Sequence, residues 1–219
     1  YSQEGELVAL QPGGPVLFRR RLRPDLIRLL VSPKGQAILT EDLGGRLRMF
    51  GPGGELLHKQ RFALEEQFRL VVLEDGFVAF GGTRGHLVLQ DLLGDMVSQR
   101  KVAGGVERME ALRGALALWD ADGTCSVVTP YGEIEARMEP PPGWTLARRP
   151  PQGPPVLLHA RGPTLTAFTG QGADLEAQWS FRCKRDIVLV EADRDARRVA
   201  IVTDRRLYWV AAPDAPEPQ

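Results

Sequence analysis

A chain of 219 residues is long enough for one well-buried domain, and 43% hydrophobic with 26% charged residues is ordinary globular composition that excludes a disordered or fibrous chain. Its 28 basic and 28 acidic side chains give a formal net charge of zero, which argues against a general nucleic-acid or membrane-surface binder, since both need a positive field. No apolar run approaches the ~18 residues of a membrane helix.

From the N-terminus onward, short apolar runs alternate with turn residues. Glu6–Leu10 and Val16–Arg20 read as strands, then Leu29–Val31, Ala37–Thr40, Leu47–Phe50, Leu70–Leu73, Phe77–Phe80 and Leu87–Leu89. Ala115–Trp119, Val156–His159, Ile187–Glu191, Arg198–Thr203 and Leu207–Val210 continue the series. Leu64–Leu70 suits a turn of helix, and no other segment carries an apolar stripe of helical period. Pro140–Pro142, Pro150–Pro151 and Pro154–Pro155 mark loops, because proline lacks the donor a central strand needs. Residues 213–219 read as a disordered tail.

Glycine spacing organises these runs. One set falls at Gly5, Gly45, Gly85, Gly123 and Gly162, in steps of 40, 40, 38 and 39. A second falls at Gly14, Gly54, Gly94, Gly132 and Gly172, in steps of 40, 40, 38 and 40. A third falls at Gly35, Gly76, Gly114 and Gly153, in steps of 41, 38 and 39. Glycine recurring at one interval means a tight turn with positive φ recurring, so each repeat holds three turns and four strands. A period near 40 with four strands is the signature of a β-propeller blade, whose strands are lettered a to d from the axis outward. Complete repeats fall at 27–62, 68–102, 107–138 and 144–181. Residues 5–21 supply a c–d pair, and 187–211 supply an a–b pair with one spare run. The expectation is an all-β propeller, a single domain over 1–212. Five four-stranded blades are expected, the last combining N- and C-terminal strands so that no sheet edge stays exposed; the alternative is part of a larger ring.

The c–d hairpins resemble the quinoprotein-type (PQQ-like) β-propeller repeat. The segments that carry the resemblance are EGELVALQPGGPVLF at 4–18, GGRLRMFGPGGELLH at 44–58, RGHLVLQDLLGDMVS at 84–98 and DGTCSVVTPYGEIEA at 122–136. The tryptophan–aspartate (WD40) repeat has a closely similar shape. The terminal tryptophan of the quinoprotein repeat is replaced here by Phe18, His58, Ser98 and Ala136, with Trp179 in the fifth repeat. The resemblance therefore implies a fold, and no cofactor is expected.

Among groups that could carry chemistry, Asp120, Asp122 and Gly123 begin like a calcium loop but lack its later ligands, so a turn is expected and no metal site. His58, His86 and His159 lie in different repeats without ligand spacing. Cys125 and Cys183 have no local base and read as buried structural thiols. Basic clusters recur near the outer strand at Arg19–Arg21 with Arg23, Lys59 with Arg61, Arg100–Lys101, and Arg182 with Lys184 and Arg185. A solvated outer strand that blocks edge pairing is preferred for them over a positive rim. Twenty-four arginines against four lysines, and no asparagine, read as a GC-rich, bacterial genome. The chain opens on Tyr1, which reads as a processed chain or a piece of a longer one, and leaves cytoplasm and cell envelope open as compartments.

In a propeller the a–b and c–d turns share one face, and the d–a and b–c connections share the other. The first set is short here; the second holds the longer, chemically mixed segments, and such loops carry binding. The expectation is a non-catalytic module whose protein-partner surface includes Arg23, Glu65, Glu66, Arg84, Trp144, Arg182 and Arg185. Packing beside Phe68 is the competing role for Trp144. The functional alternative is an enzyme or small-ligand sensor with its site at the central channel.

Overall fold

The computed structural model describes residues 5–11, 13–22, 25–32, 34–61, 68–73, 76–151, 153–193 and 195–212; the side chain of Phe68 lies outside this set. Every regular element among them is a strand. The chain divides after Gly105 into two compact units.

The first unit holds three antiparallel sheets. The pair β1 (Glu6–Leu10) and β2 (Val16–Arg21) stands alone. Next come β3 (Leu26–Val31), β4 (Ile38–Asp42), β5 (Arg46–Phe50) and β6 (Leu56–Arg61), then β7 (Phe68–Val72), β8 (Val78–Gly82), β9 (His86–Gln90) and β10 (Met96–Lys101). The second unit holds β11 (Arg108–Leu112), β12 (Ala115–Trp119), β13 (Cys125–Val128) and β14 (Ile134–Met138), then β15 (Trp144–Arg148), β16 (Val156–Arg161), β17 (Thr164–Gln171) and β18 (Asp174–Arg182). A three-stranded sheet of β19 (Ile187–Ala192), β20 (Arg198–Thr203) and β21 (Leu207–Ala211) ends it. Each four-stranded sheet pairs its strands in chain order, a to d.

Two expectations need correction. The described strands form six sheets, not five, because β21 pairs with β20 and takes the c position that a mixed blade would give to β1. Phe68–Leu70 is strand β7 rather than helix; its residues pair with Gly82, Gly81 and Phe80, and that ladder outweighs weak local helix preference. The remainder of that segment, 64–67, lies outside the described residues.

The second strands β8 and β12 are apolar throughout because they bury both faces. Every residue of β8 and β12 is buried. In β16, Leu157 packs with Ala115, Ala117 and Trp119 of the preceding sheet, while its neighbours Leu158 and Ala160 pack with Val199 and Ile201 of the next. That alternation is the period-two signature of a sheet stacked between two others. In the first unit, Leu39, Leu47 and Met49 meet Val72, Val78 and Phe80, and Leu7 and Phe18 meet Ile38 and Phe50.

All fourteen glycines of the three series have positive φ, between 56° and 110°. The c–d hairpins share a second device. Each breaks register next to one pair, Ala9–Phe18, Met49–His58, Leu89–Ser98, Val127–Ala136 and Ala167–Trp179, with one further pair before the turn in the first four and four further pairs in the last. The five residues at the family's tryptophan position are thus equivalent in space. In the first unit this position docks one sheet on the next. A Cβ on Gly54 would collide with the Phe18 ring, and one on Gly94 with the His58 ring. Glycine is required there because an aromatic ring occupies the space of a Cβ.

Candidate functional site

The d–a and b–c connections lie at one end of each sheet, as antiparallel order demands, and hydrogen bonds tie them together. In the first unit Leu22 N–H donates to Gly5 O at 2.6 Å and Val102 N–H to Gly85 O at 2.7 Å. In the second, Cys183 N–H donates to Pro163 O at 2.8 Å and Ile187 N–H to Gly162 O at 2.9 Å. Part of the basic clusters serves this seam: Arg61 Nε donates to Gly44 O at 3.3 Å and Lys101 Nζ to Arg84 O at 2.8 Å, each from the end of a d strand to its own b–c turn. The preferred reading of those clusters as solvated charge thus gains a specific structural role.

Of the residues expected at this end, Arg84 is exposed in the b–c turn of the first unit. Trp144, Arg182 and Arg185 belong to the second unit. Arg23, Glu65 and Glu66 lie outside the described residues.

Trp144 opens β15, is 37% exposed, and borders a recess of about 280 Å³ with Arg108, Trp119 and Pro140–Pro142. The Arg108 guanidinium carbon lies 3.6 Å from the Trp119 ring centroid, a cation–π stack, while Nη2 donates to Thr145 O at 2.6 Å. The proline loop rests on His159, whose Nε2 lies 3.4 Å from Pro142 O and whose ring meets Phe168 edge-on. The recess therefore joins a held cation, an indole and a proline wall.

Arg185 lines a second recess, about 380 Å³, with Lys184, Thr203, Arg205, Arg206 and Tyr208. Arg185 Nη1 reaches Asp204 Oδ2 at 3.0 Å, and Arg205 Nε reaches the same oxygen at 3.9 Å. Thr203 closes the b–c turn: its Oγ1 accepts Arg206 N–H at 3.1 Å and donates to Arg206 O at 3.3 Å. The Tyr208 ring stands edge-on to Phe181. Arg205 and Arg206 escaped the sequence reading. Their signal is a break in the series: Gly45, Gly85, Gly123 and Gly162 hold the corresponding turns, and here the chain reads Thr-Asp-Arg-Arg with no glycine.

Charged groups also line the first strands of the second unit. Arg148 Nη1 donates to Glu110 Oε2 at 3.3 Å, Arg108 Nε lies 3.7 Å from Glu110 Oε1, and Arg148 Nε donates to Ala192 O at 3.2 Å. Burial pushes the Glu110 carboxyl up against the pull of both arginines. Raised carboxyls mark some catalytic sites, and buried ion-pair chains produce them too. Glu110 has the partners of the second kind.

Other candidates resolve into structure. Asp120 Oδ1 accepts the N–H groups of Asp122 and Thr124 at 3.1 and 2.9 Å, which makes this segment a turn. Cys125 and Cys183 are free and buried, and burial pushes the Cys125 thiol up to about 12, away from nucleophilic chemistry. His58 and His159 are packed, and His86 is exposed. The opposite end has mostly tight turns, as at 51–54, 91–94 and 129–132, although the long β17–β18 hairpin is larger than the sequence reading expected.

No protein-family model and no curated protein matches the sequence. Among solved structures the chain is similar to the C-terminal WD40 domain of Sif2, with a TM-score of 0.67 and 14% identity over 98% of this chain and 65% of that one. It is similar to KlHsv2 with loop 6CD replaced by a Gly-Ser linker, at TM-score 0.67 and 14% identity over 96% of this chain and 75% of that one. It is also similar to a structure of BBS1N in complex with ARL6DN, at TM-score 0.60 and 12% identity over 91% and 70%. The chain spans 65% of the length of the Sif2 domain that it matches. Identities this low carry the fold alone, and they favour the tryptophan–aspartate shape of the repeat. The chain has a WD40-like β-propeller fold.

Proposed function

We propose that this chain is a non-catalytic propeller module that binds a protein partner through its d–a and b–c loops. The observation that carries the reading is the pair of recesses in the second unit. Both are lined by residues of these connections, and together they hold Trp144 and Arg185. Tryptophan and arginine at recesses on a rigid scaffold are the side chains that dominate binding energy at interfaces. The proposed surface comprises Arg84, Trp144, Arg182 and Arg185, together with Arg23, Glu65 and Glu66.

In this reading residues 1–212 form one propeller domain in which β1–β2 and β19–β21 belong to different blades. The placement of β21, which pairs with β20 as a c strand, supports this. The test of function is retention of a partner from source-cell lysate on the immobilised protein, followed by substitution. Trp144→Ala with Arg182→Ala and Arg185→Ala should abolish retention, and Lys34→Ala with Tyr131→Ala should leave it. The reverse pattern would overturn the proposed face.

A further inference from the structure

We propose that the recess between the 183–186 loop and the 203–206 turn binds an acidic segment of the partner protein. This rests on the reading of that end as the interaction face and names the chemistry of its ligand. Lys184, Arg185, Arg205 and Arg206 converge there, and Asp204 is the carboxylate paired with two of them. Lys184 and Arg206 make no ion pair among the described residues. Asp186 on the same loop is a second carboxylate, so four cations face two anions and an excess of positive charge remains. The chain as a whole carries no net charge, which makes this a local departure rather than a general basic character.

The backbone that presents the cations is also held in place before any ligand arrives. Thr203 locks the turn that presents Arg205 and Arg206, and backbone bonds to Pro163 and Gly162 hold the loop that presents Lys184 and Arg185. A pre-ordered backbone loses less entropy on binding. The last b–c turn lacks the glycine of the others among the described residues: Arg206 stands at the position of Gly45 and Gly85, and the Thr203 hydroxyl accepts its N–H. A nucleic acid would need a track of such charge, and 380 Å³ with a tyrosine fixed edge-on offers one short station. Carboxylates on an extended peptide fit it, because arginine forks match their geometry.

The experiment measures fluorescence anisotropy of a labelled peptide of alternating Asp and Glu, with a Ser–Gly peptide as neutral control and inorganic pyrophosphate as competitor. Wild-type protein should bind the acidic peptide and not the control, with affinity falling steeply between about 50 and about 300 mM salt. Lys184→Glu with Arg206→Glu should weaken binding about tenfold with an unchanged circular dichroism melt. Binding that ignores this double change, or no binding at low salt, would overturn the inference. So would pyrophosphate displacing the peptide at concentrations below the peptide's own. If partner retention depends on Trp144 while the peptide ignores Lys184 and Arg206, the recess is wrong and the face is right. If the peptide depends on both residues while retention depends on Lys34 and Tyr131, the face is wrong and the recess stands.

Discussion

Gly85 and Gly35 share a positive φ, 88° and 68°, yet differ in surroundings. A Cβ at Gly35 meets nothing, whereas one at Gly85 meets the carbonyl oxygen of Val102, which is backbone and cannot swing away. Gly35→Ala should therefore cost only the left-handed penalty, about 1 kcal/mol, and Gly85→Ala about 3 kcal/mol or more. Urea midpoints compare them, and equal losses would contradict the collision. Cys125 gives the pH counterpart. Burial raises its thiol from 9.0 to about 12, with Arg108 opposing and Glu110 and Asp120 assisting. Below pH 9.0 both folded and unfolded chains hold the proton. As pH rises further, the unfolded chain releases it while the folded chain retains it, so stability falls between about 9 and 12. Cys125→Ala should flatten that alkaline decline relative to wild type, as followed by denaturant melts from pH 8 to 11, whatever it costs at neutral pH. At this scale the sequence was most legible where a turn demands glycine. It was least legible where another residue does that work. Ala196, at φ 55°, donates its N–H to Asp193 O as Gly35 does to Ser32 O, so the third series continues without its glycine.

The strand is the scale at which the repeat was read well, because turn residues bound each run and burial of both faces makes the second run continuously apolar. What pairs with what at the chain ends was not legible. A c strand such as Leu207–Ala211 and a c strand such as Glu6–Leu10 have the same pattern, and neither pattern encodes its neighbour. The hairpin β1–β2 covers Ile38 and Phe50 through Leu7 and Phe18. Deleting residues 1–21 should uncover that apolar face, producing aggregation or loss of cooperative melting. A truncated chain that stays monomeric, with an unchanged melt, would mean that the N-terminal pair is dispensable to the sheets behind it. The recess residues show the same limit. Trp144 and Arg185 were legible as loop residues of the right type, but the stacking of Arg108 on Trp119 and the gathering of Arg205 and Arg206 beside Lys184 arise from sheet pairing.

For the whole molecule, repetition makes the fold robust to sequence, which is why a chain only 14% identical to a WD40 domain keeps its architecture and why that likeness carries no partner with it. The proposed binding end follows instead from topology. Antiparallel order puts the d–a and b–c connections of each sheet at one end of that sheet, and Trp144 and Arg185 border recesses there in the second unit. Hydrogen-exchange footprinting of the protein with its captured partner tests this most directly. The account predicts slowed exchange at 139–144, 183–186 and 203–206, with 32–37 and 129–133 unchanged. Protection confined to 32–37 and 129–133 would contradict it.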